Sequence, residues 1–113
     1  MTTPSLNGRR FRALAAVEGG DVGKDTIFDY RQEDDVVYAK YAGGDVRLGF
    51  LVGLRSGETI EFRYIQLRSD GSTASGRCRS RVEVLADGRL RLHESWQWES
   101  QPGAGSSVVE EVE

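Results

Sequence analysis

One cysteine, one histidine and two prolines occur among 113 residues, and no apolar run approaches the roughly 18 residues that a membrane-spanning helix requires. Each scarcity removes a class of explanation. Cys78 has no second cysteine with which to close a disulfide, so stability must come from a packed core, and the expected compartment is reducing. Residues Met1 to Arg10 lack the apolar segment of a secretory signal, which leads to the expectation of a cytoplasmic protein with no membrane association. With His93 and Cys78 as the only members of their kinds, no Cys/His metal set can be assembled. No phosphate-cradling glycine loop and no serine nucleophile elbow occurs either, so the residues themselves indicate no cofactor, no metal and no catalytic constellation. A net charge of −3 gives no general attraction to nucleic acid or anionic lipid.

Helical periodicity is missing as well, whereas strict alternation of apolar and polar residues recurs along most of the chain. Fourteen glycines punctuate that alternation at hairpin spacing. Gly43-Gly44 reads as a two-residue turn that sets Tyr41 opposite Val46, Ala39 opposite Leu48 and Val37 opposite Phe50, placing Val46, Leu48, Phe50, Val52 and Leu54 on one inner face. Glu33-Asp34 reads as the preceding turn, with Thr26, Phe28 and Tyr30 on the same side. Arg55-Ser56-Gly57, Ser69-Asp70-Gly71 and Ala86-Asp87-Gly88 read as three-residue turns with a left-handed last residue. The second puts Gln66 opposite Ala74, Tyr64 opposite Gly76 and Phe62 opposite Cys78; the third puts Val84 opposite Leu90, Ser80 opposite Glu94 and Cys78 opposite Trp96. Adding strands near Phe11 to Leu14 and Val108 to Val112, the expected fold is all-β: one domain over residues 1–113, an up-and-down meander of about eight antiparallel strands. Closure into a barrel would remove both free edges; an open sheet folded into a sandwich is the alternative. Residues 1–6 and 113 are expected to fray.

The inner face so defined is aromatic and partly polar. Tyr30, Tyr41, Tyr64, Trp96 and Trp98 supply ring surface, and Gln66 and Glu94 supply polar anchors. Ala74, Gly76, Cys78 and Ser80 form a run of small residues on one wall, which either opens a cavity or simply accommodates large neighbours. Glu94 shares its face with Leu90, Leu92, Trp96 and Trp98, so its carboxyl must be paired, hydrogen-bonded or neutral. It anchors a ligand, or it bonds to Ser80 or an arginine. Cys78, with no histidine beside it, reads as a small hydrophobe. On the outer face Arg77, Arg79, Arg81, Arg89, Arg91 and His93 lie beside Arg63 and are interleaved with Glu61 and Glu83. With no exposed aromatic among them, these arginines read as a salt-bridged surface, not a nucleic-acid platform. Glu110, Glu111 and Glu113 read as a frayed strand end. The function expected from the residues is binding of a small apolar or aromatic molecule inside the barrel. A homodimer or protein-interaction module with a packed core is the alternative.

The run Tyr41-Ala-Gly-Gly-Asp-Val-Arg-Leu-Gly-Phe-Leu-Val, with Phe62-Arg-Tyr, Gly76-Arg-Cys-Arg-Ser and Asp87-Gly-Arg-Leu-Arg-Leu-His-Glu-Ser-Trp-Gln-Trp, resembles a family of short bacterial proteins that carry the label N-acetylglutamate synthase. That resemblance, over about Asn7 to Val112, implies acetyl transfer from acetyl coenzyme A to glutamate. The residues themselves offer no helix N-terminus to cradle a coenzyme A pyrophosphate. The inferred architecture also resembles calycin barrels such as lipocalins and avidins, with Gly8-Arg9-Arg10-Phe11 standing where those barrels carry an early Gly-x-Trp.

Overall fold

Short turns oblige each strand to lie beside the one before it, and in the computed structural model, which describes residues 4–112, they do so from end to end. The strands are β1 (Arg10–Ala13), β2 (Ile27–Glu33), β3 (Val36–Gly43), β4 (Val46–Ser56), β5 (Thr59–Arg68), β6 (Thr73–Val84), β7 (Leu90–Trp98) and β8 (Ala104–Glu111). All neighbours are antiparallel, and β1 closes on β8 through Phe11 opposite Glu111, Arg12 opposite Glu110 and Ala13 opposite Val109. The meander is therefore a closed barrel, not a sandwich. No helix long and apolar enough to cross a membrane occurs among the described residues.

Two of the three glycine-terminated turns set the registers expected of them. Gln66 faces Ala74, Tyr64 faces Gly76 and Phe62 faces Cys78 across β5 and β6, while Ser80 faces Glu94 and Cys78 faces Trp96 across β6 and β7. Gly71 and Gly88 hold φ of 89° and 90°, the left-handed conformation that these turns require. The other turns shift. Ser56 pairs with Thr59, so the β4–β5 loop is Gly57-Glu58 alone. Glu33 pairs with Val36, which moves the β2–β3 turn to Asp34-Asp35, with Asp34 itself at φ 54°. This displaces the register by two residues, so Thr26, Phe28 and Tyr30 keep their expected inner face.

The expectation for β4 is wrong in phase. Val46 points inward, but Arg47 is an extra residue between the pairs Val46–Arg68 and Leu48–Leu67. Beyond that bulge Gly49, Leu51 and Gly53 face the interior opposite Tyr41, Ala39 and Val37. Phe50, Val52 and Leu54 face outward, 50%, 59% and 59% exposed. Volume decides between the two phases, because apolar residues occupy both parities of this strand. A Cβ at Gly49 would enter the Tyr41 ring, and one at Gly53 would enter the Glu61 carbonyl and the Phe62 backbone. The glycines belong inside because the Tyr41 ring takes the room at Gly49 and the β5 backbone takes it at Gly53.

Both barrel ends are covered. At one end Leu6 is fully buried, its amide donates to Gln32 Oε1 at 3.0 Å, and Arg55 Nη1 donates to the same oxygen at 3.0 Å. Residue 6 is thus part of the core and does not fray; residues 1–3 and 113 lie outside the described residues. Leu6→Ala should cost about 2–4 kcal/mol in a denaturant titration. A loss below about 0.5 kcal/mol, the range of exposed substitutions, would mean that this segment does not seal the barrel. Glu110 and Glu111 are likewise anchored: Glu110 accepts from Arg91 Nη2 at 2.6 Å, and Glu111 from Arg9 Nη1 at 2.8 Å and the Leu90 amide at 3.0 Å. The other end of the barrel is covered by the β1–β2 connection, residues 14–26.

Candidate functional site

The site is built on alternation. Strand β7 turns Glu94, Trp96 and Trp98 inward, β5 contributes Tyr64 and Gln66, and β3 contributes Tyr41. Small residues across the pairing make room for the rings, as Gly76 lies opposite Trp98 and Gly105 opposite Trp96. The rings meet at edges, with Trp96–Trp98 centroids 5.6 Å apart and Tyr64–Trp98 centroids 5.7 Å apart, while Phe28 stacks on Tyr41 at 4.7 Å. Together with Leu51, Phe62 and Cys78 they surround a cavity of about 50 Å³, room for a water or two.

Six of the seven residues expected at the site line this cavity: Tyr41, Tyr64, Gln66, Glu94, Trp96 and Trp98. Tyr30 does not. It packs below the cavity with its ring centroid 5.1 Å from that of Phe11, and its buried hydroxyl has no hydrogen-bond partner among the described residues. The alternation reading put Tyr30 on the correct face without fixing its depth along the barrel. Four lining residues come from a segment that strand periodicity could not place: Val17, Gly20, Asp21 and Val22 of the β1–β2 loop. The one signal for them was the length of Val17 to Lys24, too great for a hairpin turn. Ser107 on β8 was also missed.

A polar chain crosses the mouth. Tyr41 donates its hydroxyl to Gln66 Oε1 at 2.9 Å, Gln66 Nε2 donates to Asp21 Oδ2 at 2.8 Å, and Arg68 Nε donates to that same oxygen at 2.7 Å. Trp98 Nε1 donates to the Gly19 carbonyl at 3.1 Å, fixing the loop over the rings. Deeper in the cavity, Glu94 Oε1 accepts from the Ser107 hydroxyl at 3.2 Å. Burial drives the Glu94 pKa up from its ordinary value of 4.5 to about 7, against the weaker pull of Ser107 and then Ser80. Ser80 stands opposite Glu94 across the strand pair, but its hydroxyl lies outside hydrogen-bonding geometry, so Ser107 is the partner that counts. Glu94 as a whole residue is half-buried, and it borders the cavity.

Burial raises the phenol pKa values of Tyr41 and Tyr64, which therefore stay neutral donors, and raises that of the Cys78 thiol, with Glu94 adding to the shift. A thiol so disfavoured as thiolate is a wall residue, not a nucleophile. The interior thus offers an aromatic slot, one carboxyl poised between its two states, and a row of neutral donors and acceptors.

Outside, most of the arginine face is paired. Arg79 bonds Glu61 at 2.8 Å, Arg63 bonds Glu99 at 3.1 Å, and His93 Nε2 lies 2.7 Å from Glu83. The outer surface of β3, β4 and β5 differs in kind: Tyr38, Phe50, Val52, Leu54 and Ile65 are exposed there, with Tyr38 opposite Val52 and Phe50 opposite Ile65. In comparisons with known proteins, the family model described as avidin-like protein matches residues 4–112. No curated protein and no solved structure matches the chain.

Proposed function

The chain belongs to the avidin-like protein family, and from that premise we propose that its barrel binds a small apolar or aromatic molecule in its interior without chemical change to it. The observation that carries this reading is the convergence of Trp96, Trp98, Tyr41 and Tyr64 on one cavity that also holds the carboxyl of Glu94. The rings supply contact area, and Glu94 and Gln66 fix orientation through hydrogen bonds made in a water-poor site. The only two tryptophans of the chain both line the cavity, so tryptophan emission reports on it alone. Native mass spectrometry of gently purified protein should show a retained small molecule, and its return to stripped protein should move the tryptophan emission saturably. Bare protein, combined with no saturable change across a library of aromatic fragments, would sink the reading.

A second reading rests on a separate observation, the exposed apolar face of β3–β5, which is the kind of surface that marks self-association. If two copies meet there, Val52→Lys with Ile65→Lys gives a single-chain mass by sedimentation. Because both side chains are exposed, the melting temperature should stay within about 2 °C. A wild-type mass equal to one chain at every concentration counts against it.

A further inference from the structure

Strand β6 turns Arg77, Arg79 and Arg81 outward at alternate positions, and all three are exposed. Two-residue steps along a strand set successive outward side chains about 6.8 Å apart, so the three arginines rise from one line. Their charge is only partly answered. Arg81 stands between Thr59 and His93 and has no carboxylate partner among the described residues, Glu83 being turned to His93 Nε2 at 2.7 Å. Arg77 stands between Arg63 and Gln97, and its Nη2 donates to a neutral acceptor, Gln97 Oε1, at 3.0 Å. An arginine directly opposite another is unfavourable, and Arg63 is drawn off to Glu99 at 3.1 Å. Arg79 does have Glu61 at 2.8 Å, but both side chains are largely exposed, and such a pair is worth at most about 1 kcal/mol.

The shape of this charge selects among polyanions. Beside the line, β7 presents Gln97, Ser95 and His93, and beyond them β8 presents Ala104, Ser106 and Val108. On the other side Glu61 and, along β6 itself, Glu83 would repel a broad anionic surface such as a lipid layer or a duplex. No exposed aromatic lies among these residues to stack a base. The closed barrel offers no strand edge here for backbone pairing, so a partner must be held by side chains alone. A single extended chain with a carboxylate at every second residue has the same period as the arginines. The hydroxyls of Thr59, Ser95 and Ser106 border its path and can serve its remaining polar groups.

We propose that the outer face of β6 is a docking site for an extended acidic segment of another protein, whose alternate carboxylates meet Arg77, Arg79 and Arg81. The site is separate from the barrel interior, because the residues between these arginines, Cys78 and Ser80, are the ones that point inward.

Fluorescence anisotropy with two labelled peptides of one composition tests this. One alternates glutamate and serine over about eight residues, and the other carries its glutamates in a single block. The alternating peptide should bind saturably, at least about threefold more tightly than the block peptide, and should lose at least about threefold in affinity as NaCl rises from about 25 to about 150 mM. Arg77→Gln with Arg81→Gln should weaken it at least about tenfold, whereas Arg12→Gln with Arg47→Gln, which removes the same charge elsewhere, should change it less than about twofold. All four side chains are exposed, so both variants should melt within about 2 °C of wild type. Arg81→Gln alone, which breaks no ion pair, repeats the comparison if the double variant melts lower. No saturable binding at the lower salt, equal affinity for the two peptides, or binding unchanged by the β6 variants would overturn the site. Tighter binding of an oligothymidylate of matched charge would overturn its assignment to a peptide.

Discussion

Gly53→Val should leave no cooperatively folded protein at 25 °C, whereas Val52→Ala, one residue away, should cost less than about 1 kcal/mol. The contrast is the sharpest test of the β4 register. Gly53 faces the interior opposite Val37 and Phe62, and any Cβ there would penetrate the Glu61 carbonyl and the Phe62 backbone, neither of which can rotate away. Overpacking of side chains typically costs 1–3 kcal/mol; a clash against the paired backbone of the next strand exceeds that, and a loss above about 4 kcal/mol removes most of the stability of a small domain. Val52 is 59% exposed and loses little on truncation. Circular dichroism and a thermal melt on both variants decide the matter. A folded Gly53→Val together with a badly destabilised Val52→Ala would mean that the strand runs in the other phase, with Val52 in the core.

The second large effect is one of pH. Glu94 has a pKa of about 7 in the folded chain, against an ordinary value of 4.5. Between those two values the folded state holds a proton that the unfolded state has released, so stability must fall as pH rises through this window. Below about pH 4.5 the contribution is fully present; above about pH 7 it has been lost. The shift corresponds to about 3 kcal/mol, an order-of-magnitude figure. Glu94→Gln keeps the shape and the acceptor for Ser107 but cannot ionise, so its stability should be nearly level from pH 5 to pH 8, and at pH 8 it should exceed wild type. Asp70, Asp87, Glu83 and Glu110 act in the opposite sense, because hydrogen bonds to Ser72, Arg89, His93 and Arg91 respectively lower their pKa values. Their contribution is present above the ordinary carboxylate range and is lost in acid, which places the wild-type optimum near pH 5. Urea midpoints measured across this range for wild type and Glu94→Gln separate the two effects. A wild-type curve still rising between pH 5 and pH 8 would show that Glu94 ionises without penalty.

How far the sequence alone leads depends on the turn that governs each strand. Where a glycine sat at a position needing a left-handed conformation, as at Gly71 and Gly88, counting back from the turn placed every side chain on its correct wall, and Gln66, Cys78, Glu94 and Trp96 came out facing one another. In β4 the pattern was degenerate, since Val46 and Leu48 continue equally well into Phe50-Val52 or into Leu51 once a bulge at Arg47 is allowed. Only the room left by the Tyr41 ring at Gly49 and by the β5 backbone at Gly53 breaks the tie, and period-2 reasoning does not weigh space. The site divides along the same line. Its strand-borne walls were legible, while Asp21 and its neighbours lie in a loop whose path is set by tertiary contacts to Trp98, Gln66 and Arg68, with no periodicity to betray it. Tyr30 shows the complementary failure, because alternation gives a residue its side of the sheet and not its height along the barrel.

The seam between β1 and β8 also governs how the chain can reach this structure. Every other strand pair joins sequence neighbours, through short turns or, between β1 and β2, through the longer loop of residues 14–26, but at the seam Arg9 meets Glu111 at a separation of 102 positions. During synthesis the meander can therefore zip up one hairpin at a time while β1 waits with an unpaired edge for a strand that emerges last. Until β8 arrives, two open edges and the apolar outer surface of β3–β5 are available to other chains at once. Closure is the step of highest contact order, so refolding should be slowed by substitutions that weaken the seam, such as Arg9→Ala, and nearly indifferent to those in the β6–β7 turn, if seam formation limits the rate.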